Sequence, residues 1–331
     1  LYYDEQPQFY KGVIGGNRKN NHFQDGFIDN IDYRDLGMLI NQEVLISERN
    51  KYVWNPKKNI SGSAKGIFKP LYNLSKITDF FPYGENKILK HLPNSLVVLT
   101  SPRCFTCFDS VWILSYLLKG SLVENYLTLH KDIFTYEYYY VDDGMFLKGY
   151  KFKYPEGIER ISINDSKTDW CMEYKLSKSG YKNLADDGLK GLANCFYNYM
   201  RTKKAKLKIE DYIFTSYTEY EKVFHKHNKN VSNKRFLACN TKAINDYDSS
   251  TLVGYLIDRY MNPILINFFQ SQGISVDVEL FALSEMIQLI WRSNVRRKDS
   301  QETVYVFIPS RRMERIFIDW RNQYFLYKKS K

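Results

Sequence analysis

From residue 95 onward, short apolar runs alternate with longer segments of helical period, and this alternation limits the possible folds more than any other feature of the chain. The strand-like runs are 96–100, 111–116, 134–141, 212–215, 235–239, 251–256 and 303–308. Segments near 117–129, 184–202, 217–227, 261–272, 279–297 and 310–324 carry the helical period between them. Asp277 or Ser275 can cap the 279–297 helix, and Pro309 and Ser310 open the last one. Short strands joined by helices make α/β units around a mainly parallel sheet. Upstream, 14–70 is polar and irregular, rich in Asn, Gly and Lys, while 142–183 reads as a hairpin or loop excursion.

Composition narrows the function. The 331 residues carry 48 Lys and Arg against 37 Asp and Glu, a net charge of +11, and 44% are hydrophobic, enough for a real core. No run approaches the ~18 apolar residues of a membrane span, so no membrane partner is expected. The positive charge is clustered. One run covers Arg201, Lys203, Lys204, Lys206 and Lys208, and a second extends from Lys222 through His225, Lys226, His227 and Lys229 to Lys234. Others are Arg296 to Lys298, Arg311 with Arg312, and Lys328, Lys329 and Lys331. With 28 Tyr and 21 Phe interleaved, such runs suit phosphate contacts and base stacking.

Five cysteines without a leader peptide point to a reducing, cytoplasmic setting. Cys104 and Cys107 have zinc-knuckle spacing, but no second pair answers them. The stretch from Gly62 through Lys65 to Gly66 lacks P-loop spacing. The opening Leu1, Tyr2, Tyr3, Asp4, Glu5, with no Met, has the look of a cut through a domain.

Several groups have the chemistry of a nucleotide site. Asp4 and Glu5 follow an apolar approach, as paired acids do where one holds Mg²⁺ and the other polarises the attacking water. Gln288, Arg292 and Arg296 stand at i, i+4 and i+8, one stripe of the 279–297 helix, suited to a γ-phosphate. Thr100 and Ser101 end a buried strand with two hydroxyls, and the polar loop from Cys239 to Asp246 follows another. A rival motif is Tyr139, Tyr140, Val141, Asp142, Asp143, the Y-V-D-D turn of reverse transcriptases, though no upstream acidic strand accompanies it.

Taken together these residues resemble superfamily 2 helicase-type ATPases, the divergent DEAD/DEAH-like proteins of phages and plasmids. The resemblance is strongest over 235–320, through Arg235, Asn240, Asn245-Asp246, Arg259, Asn262-Pro263, Gln288, Arg292 and Pro309 to Met313. It implies an α/β fold: a RecA-like parallel-sheet lobe with helices on both faces over 111–331, interrupted by the 142–183 excursion. Residues 1–110 would be the remnant of a first RecA-like lobe with an insertion at 14–70. It casts Asp4 as the Mg²⁺ carboxylate, Glu5 as its catalytic neighbour, and Thr100 and Ser101 as the motif linking hydrolysis to movement. Gln288, Arg292 and Arg296 would face ATP from the second lobe. Val295 stands where such helicases carry their second arginine, and the phosphate loop would lie upstream of Leu1.

The implied function is an ATP-dependent helicase or translocase of phage or plasmid replication. Its cofactors are ATP and Mg²⁺, and its partners are single-stranded DNA or RNA and other replication proteins. Lys203, Lys204, Arg311 and Arg312 are the expected nucleic-acid track. The alternatives are a nucleic-acid-binding replication accessory without ATPase activity, and a two-metal nucleotidyltransferase built on Asp142 and Asp143.

Overall fold

A computed structural model of the chain describes residues 2–3, 10–15, 33–58, 64–85, 90, 92–113, 117–119, 121–142, 145–151, 154–164, 175–239 and 246–329. They fall into two units. The first comprises Leu1–Tyr136 and Asn262–Val276, the second Glu137–Met261 and Asp277–Lys331.

In the first unit the chain runs β1 (Tyr2–Tyr3), β2 (Tyr10–Gly15), α1 (Tyr33–Asn41), β3 (Leu45–Glu48), β4 (Lys51–Trp54), α2 (Ala64–Ser75), β5 (Thr78–Glu85), β6 (Pro93–Thr100), β7 (Trp112–Ile113) and α3 (Leu122–Leu129). Strands β2-β6-β5-β4-β3 form an antiparallel sheet, and β1 pairs with β7 in parallel. Alternate residues of β6 enter different cores. Leu96 and Val98 pack with Leu36 and Leu39 of α1 and Phe68 and Leu71 of α2. Val97 and Leu99 pack with Val123 and Tyr126 of α3.

This corrects the expectation for residues 1–110, where a remnant of a parallel lobe was anticipated. A central strand covered on both faces is apolar throughout, whether its neighbours run parallel or antiparallel, so β6 carries no sign of its sheet type. Within 14–70 the described residues form α1, β3, β4 and the start of α2.

The second unit holds the hairpin β8 (Tyr139–Asp142) and β9 (Met145–Lys148), then β10 (Ile161–Ile163), α4 (Lys178–Asn183), α5 (Asp186–Lys203), β11 (Tyr212–Thr215), α6 (Glu221–His227) and β12 (Leu252–Tyr255). The chain next contributes α7 (Pro263–Ser271) to the first unit, where Phe268 lies 5.5 Å from Phe81, ring to ring. It returns with α8 (Val278–Ile290), β13 (Val304–Phe307) and α9 (Arg311–Lys329). Strands β10-β13-β12-β11 form a sheet parallel throughout. Tyr212, Phe214, Leu252 and Phe307 pack against Leu192, Phe196 and Tyr199 of α5. The intervening Ile213, Val253, Val304 and Val306 are equally buried, so the sheet is covered on both faces. The expected α/β lobe is therefore present.

Gly254 sets how closely α5 approaches. A Cβ there would stand 2.5 Å from the Phe196 ring, which is itself fully buried.

Cys104, Cys107 and Cys239 are outside disulfides, whereas Cys195 is disulfide-bonded. Among the described residues no helix is long and apolar enough to cross a membrane.

Candidate functional site

The structure distributes the expected nucleotide residues differently from the sequence pattern. Helix α8 ends at Ile290 with Trp291 as its cap, and Asn294 begins a separate 3₁₀ turn whose amide bonds to the Ser250 carbonyl at 2.8 Å. Gln288 is thus exposed on the last turn of α8, Arg292 lies beyond its end, and Arg296 is exposed on the 3₁₀ turn. The single stripe does not form, because the helix stops before its second and third members. Asp4, Glu5, Asp143 and residues 240–245 lie outside the described residues. Asp142 sits on the exposed β8–β9 hairpin, paired with Lys151 at 2.7 Å. No cluster of three or more His, Cys, Asp or Glu able to hold a metal occurs among the described residues.

Thr100 and Ser101 belong to the first unit, at the end of β6. The Thr100 carbonyl accepts from the Tyr126 hydroxyl at 2.7 Å, and the buried Ser101 Oγ accepts from Arg103 Nε at 3.2 Å. Beside them Asp79 is buried on β5, its carboxylate 2.8 Å from Lys51 Nζ and 3.6 Å from Arg103. His130 closes this cluster, its ring 4.7 Å from that of Tyr126. Burial holds its imidazole down to about 4, against the opposing pull of Asp79.

In the second unit, the structure brings together two basic runs that are separate in sequence. Their junction is the start of β11. Lys204 pairs with Asp211 at 2.6 Å, and Asp211 also accepts from the Lys208 amide at 2.7 Å. From the other run, Arg235 donates to the Tyr212 carbonyl at 2.7 Å and to the Ser250 hydroxyl at 2.6 Å. The Tyr212 hydroxyl accepts from the Ser232 amide and donates to the Asn230 carbonyl. Lys204 and Arg235 are consumed in building the surface. Around them Lys206, Lys229 and Lys234 are exposed and make no ion pair with described residues, and Arg201 lies 6.0 Å from the Tyr197 ring. Lys203 stands over the rings of Tyr199 and Tyr305 at 5.3 and 5.4 Å. Over 201–211 and 229–235 there are eight Lys and Arg against two acids, so the patch is strongly positive.

Arg311 and Arg312, the other half of the expected track, occupy the opposite, carboxyl edge of the sheet, where α9 begins after β13. Arg311 is exposed. Arg312 is bound inward: Nη1 donates to Asp258 Oδ1 and to the Arg259 carbonyl, each at 2.9 Å, and the guanidinium lies 4.2 Å from the Tyr260 ring. The Tyr260 hydroxyl donates to the other Asp258 oxygen at 3.0 Å. Next to this pair, Arg259 Nε donates to Glu285 at 3.2 Å. Burial alone would pull the Arg259 guanidinium down, but Cys239, Glu285, Tyr255 and Tyr217 hold it well above its ordinary range. The sequence offered Arg259 only as part of the helicase resemblance and no signal for Asp258 or Glu285, since their pairing appears only when the fold juxtaposes them.

The model of the YonV C-terminal Rossmann-like domain family matches residues 156–321, half of the chain and most of the parallel-sheet unit. The SPbeta prophage-derived uncharacterized protein YonV of Bacillus subtilis (strain 168) is 28% identical over 310 residues, which cover 88% of this chain and 70% of that protein. No solved structure gives a significant match.

Proposed function

We propose, from the premise that the chain belongs to the family of the YonV C-terminal Rossmann-like domain, that it is a phage-type protein that binds single-stranded nucleic acid through the basic amino edge of its parallel sheet. The observation that carries this reading is the convergence of the 201–208 and 229–235 runs around Tyr212. Phosphates would meet Lys203, Lys206, Lys229 and Lys234, and Tyr197 and Tyr305 give the aromatic surface on which bases stack. Such a protein works where nucleic acid is handled, in the cytoplasm, alongside other replication proteins.

Reversing the charge of Lys206, Lys229 and Lys234 together is expected to weaken oligothymidylate binding by at least about tenfold at moderate salt. Fluorescence anisotropy reads the affinity. Unchanged binding by the folded triple variant would remove the patch from the interface.

The finer reading, ATP-dependent helicase or translocase activity with Mg²⁺, is compatible with the α/β lobe. It further requires Asp4 and Glu5 as the metal and water-polarising acids, with a phosphate loop. ATP turnover by this chain, with and without single-stranded DNA, separates it from a binding accessory. Turnover stimulated by DNA and lost in Arg292→Ala supports the translocase, while retained DNA binding without turnover supports the accessory.

A further inference from the structure

At the amino edge of the parallel sheet, the turns that lead into β10 and β13 enclose a cleft of about 190 Å³, lined by 156–160 on one side and 295–301 on the other. Arg160 clasps the two turns together. Its guanidinium donates to the Asn294 side chain and to the carbonyls of Asn294, Val295, Arg297 and Glu302, at 2.6–3.1 Å. Gly157, at φ +86°, allows so close an approach that a Cβ there would stand 2.5 Å from the Val295 carbonyl oxygen. The cleft is therefore shaped before any ligand enters, which lowers the cost of filling it. Its rim mixes cations with acceptors. Arg296, Arg297 and Lys298 are exposed there. Glu156 pairs with Lys298 at 3.3 Å, and Glu159 accepts from the Tyr324 hydroxyl at 3.4 Å. Each acid uses one carboxylate oxygen in this way, and the other oxygen accepts from no described residue.

The cleft continues the basic patch along the same edge. Arg235 of the patch donates to the Ser250 hydroxyl just ahead of β12, the Ser250 carbonyl accepts from the Asn294 amide at 2.8 Å, and Arg160 holds the Asn294 side chain at 3.1 Å. Lys203 likewise reaches across to the Tyr305 ring on β13. From β11 to β10 is three strand intervals, about 14 Å, a distance that a few nucleotides cover. A cavity of about 150 Å³ takes one benzene-sized molecule, so the cleft suits a single six-membered ring and is small for a whole nucleotide. Carboxylate oxygens select a ring that bears an amino group, as cytosine does and thymine does not. Resting on the nucleic-acid reading of the basic edge, we propose that the bound strand passes one base into this cleft, which prefers cytosine to thymine. Glu156 and Glu159 meet the edge of that base, and Arg296 and Arg297 meet the phosphates beside it.

The test compares oligodeoxycytidylate with oligothymidylate of the same length, about twelve nucleotides, by fluorescence anisotropy on the full chain at neutral pH. The wild type should bind the cytidylate about fivefold or more tightly. Glu156→Ala combined with Glu159→Ala should bring the two affinities together without lowering that for thymidylate. A merely structural role of these acids would weaken both strands alike. Arg296→Ala combined with Arg297→Ala should weaken both by about threefold or more, because phosphate contacts carry no sequence information. Equal affinities in the wild type, a preference that survives the loss of both acids, or binding untouched by the loss of both arginines would each overturn the assignment. The patch and the cleft fail differently. Thymidylate affinity that falls on charge reversal at Lys206, Lys229 and Lys234, with no cytosine preference, keeps the patch and refutes the cleft. Failure to bind either strand removes the patch and the cleft with it.

Discussion

Replacing Arg312 by alanine is expected to destabilise the parallel-sheet unit by about 3–5 kcal/mol, the usual cost of stranding one partner of a buried ion pair. The side chain of Asp258 is 7% exposed and that of Arg312 20%, and among the described residues the carboxylate would keep only the Tyr260 hydroxyl as a side-chain donor. The Arg259 carbonyl would lose its bond as well, and with it one tie between the β12 exit and the start of α9. Urea unfolding monitored by circular dichroism measures the loss. Adding Asp258→Asn in the same chain should recover a large part of it, because no uncompensated charge then remains. A cost below about 1 kcal/mol would place the pair with exposed salt bridges and contradict its role here. Folded Arg312→Ala should also bind oligothymidylate as the wild type does, since this arginine lies at the edge opposite the basic patch.

Acidification is expected to weaken the first unit through His130. Its ordinary titration point of 6.5 falls to about 4 in the folded protein, chiefly through burial, with Lys51 adding to the effect and Asp79 and Asp132 opposing it. Between those two values the unfolded chain binds a proton that the folded chain does not, so stability falls as the pH drops from about 6.5 to about 4. Above 6.5 both states are neutral and the contribution is complete. Integrated over the window the loss is about 3 kcal/mol. His130 is only 7% exposed, so solvent screening takes little from this figure. Stability curves at a series of pH values, compared between wild type and His130→Phe, isolate the effect. The variant should keep the gentle slope common to the carboxylates and lose the steep part. Parallel curves would contradict the assignment.

Strands β11, β12 and β13 could be read from the sequence because they are buried on both faces, and they emerge within a residue of the apolar runs that mark them, whereas β10, half-buried and three residues long, lay unseen within the 142–183 excursion. The first unit was much less legible. Strands β3 and β4 are half-exposed and carry Glu48 and Lys51, so they look like loop, and β5 contains both the buried Asp79 and Pro82. Only tertiary partners make such segments strands. The apolar pattern of α8 continues past its end, but Trp291 caps it and Ser293 starts a new turn, which breaks the spacing of Gln288, Arg292 and Arg296. At the functional level, the two basic runs were visible as sequence, while their meeting depends on Tyr212, which bonds to segments 18 and 20 residues away. The pairing of Arg259 with Glu285 and of Asp258 with Arg312 had no sequence signal, since only the fold brings these residues together.

The claim that the basic amino edge binds nucleic acid is tested most directly by the salt dependence of oligothymidylate affinity, measured on the wild-type chain and the Lys206, Lys229, Lys234 charge-reversal variant. For the wild type, the logarithm of the association constant should fall linearly with the logarithm of salt concentration, with a slope of about −3 to −4, as for roughly four to six phosphate contacts to a single strand. The variant's slope should be shallower by about 2, one increment for each lost contact. An affinity indifferent to salt, or the same slope in both proteins, would contradict binding at this edge.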